Sequence, residues 1–219
     1  MAKLRGNLFG NFQGKIGLTY GRMVHGVNLG ANMPVKRDNN KATQEQWDYQ
    51  KRFAQLAQMA SAFLAAIKIG LKTAAKNIGP LVSEFDAFVR INKNNVTIEG
   101  ASMEIGYETM VLAKGHLPVV GFGAPDFETP LTVSVDFTPN ADAPGATADD
   151  DVYVVAYEPI SMMAVTSAPV KRSTGSADLR LPSVWSGLTV YVYGFAVGAG
   201  TTNTGVVSNS AYIGTGNVG

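Results

Sequence analysis

Cysteine is absent from all 219 residues, which excludes disulfides, thiolate metal sites and a cysteine nucleophile together. Histidine is nearly absent: His25 and His116 are the whole complement. A three-histidine zinc site cannot be built within one chain, and a mixed histidine and carboxylate site would need distant partners. Charge is also sparse, at 16% of residues against about a quarter in an ordinary globular chain. Lys68, Lys72 and many glycines interrupt the longest apolar stretches, which fall short of the roughly 20 residues a spanning helix needs. The amino terminus carries Lys3 and Arg5, yet no apolar run of about 7 to 15 residues follows, as a secretory signal requires. The expectation is a soluble chain made in the cytoplasm.

What the chain has in quantity is glycine, 24 residues of it, with a hydrophobic fraction of 46%, enough to bury a sizeable core. The net charge of +1 hides a division. Residues 1–76 hold twelve Lys and Arg against Asp38, Glu45 and Asp48, a net of +9. The remainder holds six basic and fourteen acidic residues, including the run Asp149, Asp150 and Asp151, a net of −8. Such asymmetry points to a nucleic-acid-facing arm or to subunits that meet positive end to negative end.

Along the chain, the first forty residues show no helical period. Glycines recur between Leu8, Phe12, Ile16, Leu18, Tyr20, Val24 and Val27, and the alternation predicts two short strands joined near Gly21 and Arg22. A ribbon of this kind is marginal alone and needs a neighbour. Thr43-Gln44-Glu45-Gln46 matches a capping box and opens a helix. Phe53, Leu56, Ala60, Phe63, Ile67 and Leu71 then line one face. Unbroken to Asn77 the helix would span roughly 50 Å, with Gly70 as the candidate break. A second, shorter helix is predicted over Val82 to Ile91.

From Ser102 onward the pattern is β. Strands are predicted at Ser102 to Ala113, Leu131 to Thr138, Val152 to Tyr157, Met162 to Thr166, Ala177 to Leu181, Leu188 to Val197 and Val206 to Ile213. Alternation with a turn every 8 to 15 residues reads as an antiparallel immunoglobulin-like sandwich, with Trp185 anchoring its core. Pro139 to Asp150 reads as an exposed, solvated acidic loop. The expected class is α+β, mainly β. The domains are an arm over 1–42, a helical region over 43–101 and a sandwich over 102–219.

Catalysis finds no foothold. Gly10-Asn11-Phe12-Gln13-Gly14-Lys15 resembles a phosphate loop but has three residues between its glycines and then Ile16, where the loop needs four and a Ser or Thr. Gly121-Phe122-Gly123 runs into Pro125 and reads as a turn. No Gly-x-Ser-x-Gly elbow occurs. Asp142 and Asp149 to Asp151 lack the alternating spacing of a calcium loop. Neither enzyme activity nor a cofactor nor a metal is expected.

Gly14-Lys15-Ile16-Gly17, the glycine and basic stretch to Arg37, Asn40, Thr43, Gln46, Lys51-Arg52-Phe53, Ala113-Lys114-Gly115-His116-Leu117, Trp185-Ser186-Gly187 and Ser208-Asn209-Ser210-Ala211-Tyr212-Ile213-Gly214 form a pattern along nearly the whole chain. That pattern resembles an uncharacterised family common in Bacteroidota and their phages. Val35-Lys36-Arg37 departs from a pattern with an arginine followed by more apolar residues. The resemblance implies membership and no activity, so no functional residue is carried over.

The expected function is a structural protein of a tailed phage particle, located in the virion and joined to copies of itself and to other particle proteins. The candidate subunit contacts are Phe12, Lys15, Ile16, Tyr20, Arg22, Lys36 and Arg37 of the arm, Phe53 and Phe63 of the helix, and Asp149, Asp150 and Asp151. Two alternatives stand beside it: a bacterial module gripping a protein or glycan with the sandwich loops, and a packaging protein touching nucleic acid through the arm. Neither a membrane nor a small-molecule substrate is expected as a partner.

Overall fold

The structure is a computed structural model that describes residues 2–3, 14–24, 27–33, 42–100, 102–201 and 203–219. Phe12, Lys36 and Arg37 lie outside the described residues.

A small amino-terminal sheet comes first. Strands β1 (Ala2–Lys3), β2 (Gly14–Ile16), β3 (Thr19–Val24) and β4 (Val27–Asn32) pair antiparallel in the order β1-β4-β3-β2. Gly21 and Arg22 sit in the middle of β3, so the expected turn there is displaced. The chain reverses instead at Gly17 and Leu18, between the paired Ile16 and Thr19. Gly17 has φ +58°, the positive value that a two-residue hairpin turn requires at its first central position.

The helical region follows. Helix α1 (Gln44–Ala62) opens with the expected capping box: Gln46 N donates to Thr43 Oγ1 and Thr43 N donates to Gln46 Oε1, both at 3.3 Å. It does not continue as one rod. The chain bends by 84° into α2 (Leu64–Gly70), then breaks again at Leu71 before α3 (Lys72–Ile78). No proline causes these breaks. Phe63 and Leu71, the residues at the two breaks, are both fully buried in one core. A straight rod of about 50 Å would overshoot a sheet whose longest strand spans only about 30 Å, and bending keeps the apolar face on it. Helix α4 (Glu84–Ile91) carries its own capping box between Ser83 and Asp86. No single helix among the described residues is long and apolar enough to cross a membrane.

Strand β5 (Val96–Glu99) pairs with β6 (Ser102–Ile105) as a hairpin. The strand expected over Ser102 to Ala113 is therefore short and lies outside the sandwich. The remaining strands are β7 (Gly121–Asp126), β8 (Thr132–Thr138), β9 (Asp151–Glu158), β10 (Met163–Thr166), β11 (Val170–Lys171), β12 (Ser176–Arg180), β13 (Thr189–Val197) and β14 (Ala211–Asn217). They form a three-stranded sheet, β12-β8-β7, and a second sheet, β10-β9-β13-β14, in which β11 also pairs with β9. Consecutive strands divide between the two sheets as in an immunoglobulin-like sandwich. Strand β7 corrects the reading of Gly121-Phe122-Gly123 as a turn. It is an edge strand with an irregularity between Phe122 and Pro125, a position where proline is tolerated.

The second sheet is buried on both faces. Val152, Val154, Val190 and Val192 meet Val133, Val135, Leu179 and Trp185 across the sandwich. On the opposite face Val155, Tyr157, Tyr193 and Phe195 meet Leu56, Phe63, Ile67 and Phe88 of the helices. The chain is thus α+β and mainly β, with helices, sheet and sheet in three layers. That double burial explains why β9 reads as an almost continuous apolar run.

Candidate functional site

Among the described residues, Arg172 and Asp150 form the most heavily bonded polar cluster, and both are fully buried. Strand β11 pairs Lys171 with Asp151 and so delivers Arg172 beneath the loop that joins β8 to β9. Its Nη1 donates to the carbonyls of Pro139 (3.0 Å) and Asn140 (3.4 Å), and its Nη2 to that of Pro118 (2.9 Å). Its Nε lies 3.3 Å from Asp150 Oδ2, near enough to pair but off the direction of a hydrogen bond. Thr147 donates twice to Asp150, at 2.9 and 2.6 Å, and Asn203 Nδ2 donates at 2.9 Å. Burial alone would raise the Asp150 pKa. The hydrogen bonds from Thr147 and Asn203, with the Arg172 charge, reverse that and hold its carboxyl below the usual carboxylate range.

This cluster corrects two expectations. The loop over Pro139 to Asp150 is pinned from beneath, and Asp150 has no surface to offer a neighbour. Asp151 is taken as well, by Lys171 Nζ at 2.7 Å. Asp149 keeps an exposed side chain, although its carbonyl accepts from Lys171. Phe63 is also withdrawn from the contact set, because its ring packs on Tyr157 at 4.7 Å and on Phe88 and Tyr193 at 5.9 Å. Sequence could not separate Asp150 from its neighbours. The only signal was Arg172, an arginine in the connection between the strands predicted at Met162 to Thr166 and Ala177 to Leu181.

The remaining candidates gather at the other end of the chain. Tyr20 and Arg22 alternate onto one face of β3, and the register sets Lys15 beside Tyr20 and Leu29 beside Arg22. Lys15 and Arg22 are exposed, Tyr20 is half-buried and Leu29 is buried. Ile16 lies in β2, an outer strand of the sheet. Gly14, Gly21 and Gly30 form a row across three strands, in register with Ala2 of the fourth. Leu18 is 82% exposed at the hairpin tip. Among the described residues, no hydrogen bond links this sheet to the helices or the sandwich. Its residues belong to neither hydrophobic core.

Helix α1 continues the same pattern. Leu56 is its first buried residue. Before it, Trp47, Tyr49 and Phe53 stand 41%, 66% and 49% exposed. The first three turns of α1 thus overhang the body with three aromatics that the described residues leave largely uncovered. Sequence reasoning found Phe53 but missed Tyr49, which lies one turn before it on the same side.

Two of the segments singled out in the sequence meet in space. Leu117 N donates to Val207 O at 3.0 Å, Ser210 N to Ala113 O at 3.0 Å, and Gly115 N to Asn209 Oδ1 at 3.2 Å. A Cβ on Gly115 would collide with the carbonyl of Val207, so glycine is required for this approach. Among the described residues no three His, Asp or Glu side chains converge as a metal site would need.

The model of the family of unknown function DUF6266 matches residues 11–214, which spans the amino-terminal sheet, the helices and nearly all of the sandwich. This chain belongs to the DUF6266 family. Within the family match fall the overhang and the buried Arg172 cluster. No curated protein matches the chain. Among solved structures, the fibronectin type III domain of the human collagen α1(XX) chain is similar at 18% identity. That likeness covers 48% of this chain and 88% of that domain with a TM-score of 0.31, a score that lends weight to neither fold nor function.

Proposed function

We propose that this DUF6266 chain is a non-enzymatic structural subunit of a tailed bacteriophage particle, joined to its neighbours by the amino-terminal sheet and the overhang of α1. The observation that carries the reading is that, among the described residues, the sheet and the first three turns of α1 contribute nothing to either core. Among the described residues, the sheet has an unpaired edge at β2, an exposed leucine at its tip and a row of glycines that cannot build a core by themselves. Exposed apolar groups and unpaired strand edges are surfaces that proteins cover by association. The resemblance to a family common in Bacteroidota and their phages supports the particle, and the geometry supports only the joining surface.

Lys15, Tyr20 and Arg22 on one face also favour a second reading, contact with nucleic acid through phosphate pairing and stacking. Sedimentation velocity of the full chain separates the two. Leu18→Asp with Phe53→Asp should shift the chain to smaller species if the surface joins subunits. Retention of DNA that falls with salt and is lost on Arg22→Glu, with sedimentation unchanged, would favour the second. Mass spectrometry of purified particles tests the location itself.

A further inference from the structure

The seam between the segment at Lys114–His116 and Asn209 does more than close the fold: it forms one wall of a cavity of about 490 Å³. The opposite wall is the face of α3 that carries Asn77 and Ile78, with Ile91 at the end of α4. That volume falls within the range of about 300 to 1,000 Å³ typical of sites for small molecules. The lining divides by chemistry. Ile78 and Ile91 supply an apolar side. Lys114, His116, Asn77 and Asn209 supply the polar side, and no Asp or Glu is among the lining residues.

The donors on that polar side are uncommitted. Among the described residues, Lys114 and His116 make no side-chain hydrogen bond and no ion pair. Asn209 spends its carbonyl oxygen on Gly115 N, which leaves its amide nitrogen, a donor only. Gly115, pressed on Val207, fixes the backbone between Lys114 and His116. A site with a lysine, a histidine and amide donors, no carboxylate and an apolar side is complementary to an anion with an aliphatic body.

We propose that this cavity binds a small organic anion, an aliphatic carboxylate whose head group meets Lys114 and His116 and whose tail lies on Ile78 and Ile91. None of the lining residues belongs to the amino-terminal sheet, so binding and subunit joining succeed or fail independently. The site binds without transforming its ligand, as nothing on the lining supplies a nucleophile with a paired base.

Calorimetric titration of the full chain with octanoate, octanol and octylammonium tests this. Octanoate should bind at one site per chain, octanol more weakly, and octylammonium not at all. Lys114→Gln with His116→Gln should weaken octanoate by about tenfold or more, the scale of losing a charge-assisted hydrogen bond. Ile78→Asp changes a side chain already 40% exposed, so it should fold normally and abolish binding by placing a carboxylate on the apolar side. Thermal melting controls for the fold of each variant. Equal binding of octylammonium, octanoate affinity unmoved by both variants, or no octanoate binding at all would overturn the proposal.

Discussion

Arg172 and Asp150 hold one pole of the sandwich together, and they do so against the cost of burying two charges. The pair is tolerated because nearly every polar atom on it is used. Three carbonyls take the guanidinium, while Thr147 and Asn203 take the carboxylate. Arg172→Leu would leave Asp150 buried without its partner, and should cost about 3 to 5 kcal/mol, read by urea unfolding followed through Trp185 fluorescence. The acid limb of stability carries a second signature. Asp150 and Glu158 both have folded pKa values below their unfolded ones. Each faces a burial cost that is outweighed by hydrogen bonds, those of Glu158 coming from Ser161 and Ile160. Their contribution is complete above the unfolded carboxylate range and is lost as pH falls through the folded values. Asp150→Asn should therefore lower stability at neutral pH and flatten its decline in acid. An acid limb as steep as that of the unaltered chain would remove Asp150 from the explanation.

At the scale of elements, the helical region shows how far local signals reach. Thr43 and Gln46 announced the start of α1 correctly, and Leu56 through Leu71 of the predicted apolar face are the buried stripe, Phe53 being exposed, but the bend at Phe63 had no local marker. It arises from packing, since the ring must reach Phe88, Tyr157 and Tyr193, residues brought near only by the finished fold. Phe63→Ala should cost about 3 to 5 kcal/mol and should lower the cooperativity of unfolding between helices and sandwich. A loss under about 1 kcal/mol would mean that the bend has another cause. The strands show the same limit. Alternation exposed β8 and β13, the strand predicted over Ala177 to Leu181 matches β12, and Trp185 proved to be a core residue. Strand β7 was hidden because Gly121, Gly123 and Pro125 look like turn residues. The amino-terminal hairpin was misplaced because Gly17 and Gly21 are equivalent until the register distinguishes them. The seam of Gly115 with Val207 and Asn209 joins segments too far apart in sequence for any local pattern to pair.

For the whole molecule, the opposed charges of the two parts survive in the sequence but not as the acidic patch first expected. Asp150 is interior and Asp151 is paired, so reversing these residues would break the fold before it tested any contact. The proposed joining then rests on the sheet and the overhanging helix, whose Lys15, Arg22, Leu18, Tyr49 and Phe53 combine charge with apolar area. Among the described residues both cores begin at Leu56 or later, which predicts a body that folds without the amino-terminal sheet. Light scattering on size-exclusion chromatography, comparing the full chain with residues 42–219, therefore tests the central claim directly. The full chain should run as an assembly, and the shortened chain, its Thr43 cap retained, as a folded species that joins fewer copies or none. The same oligomer from both chains, or a full chain that is monomeric at every concentration, would contradict it.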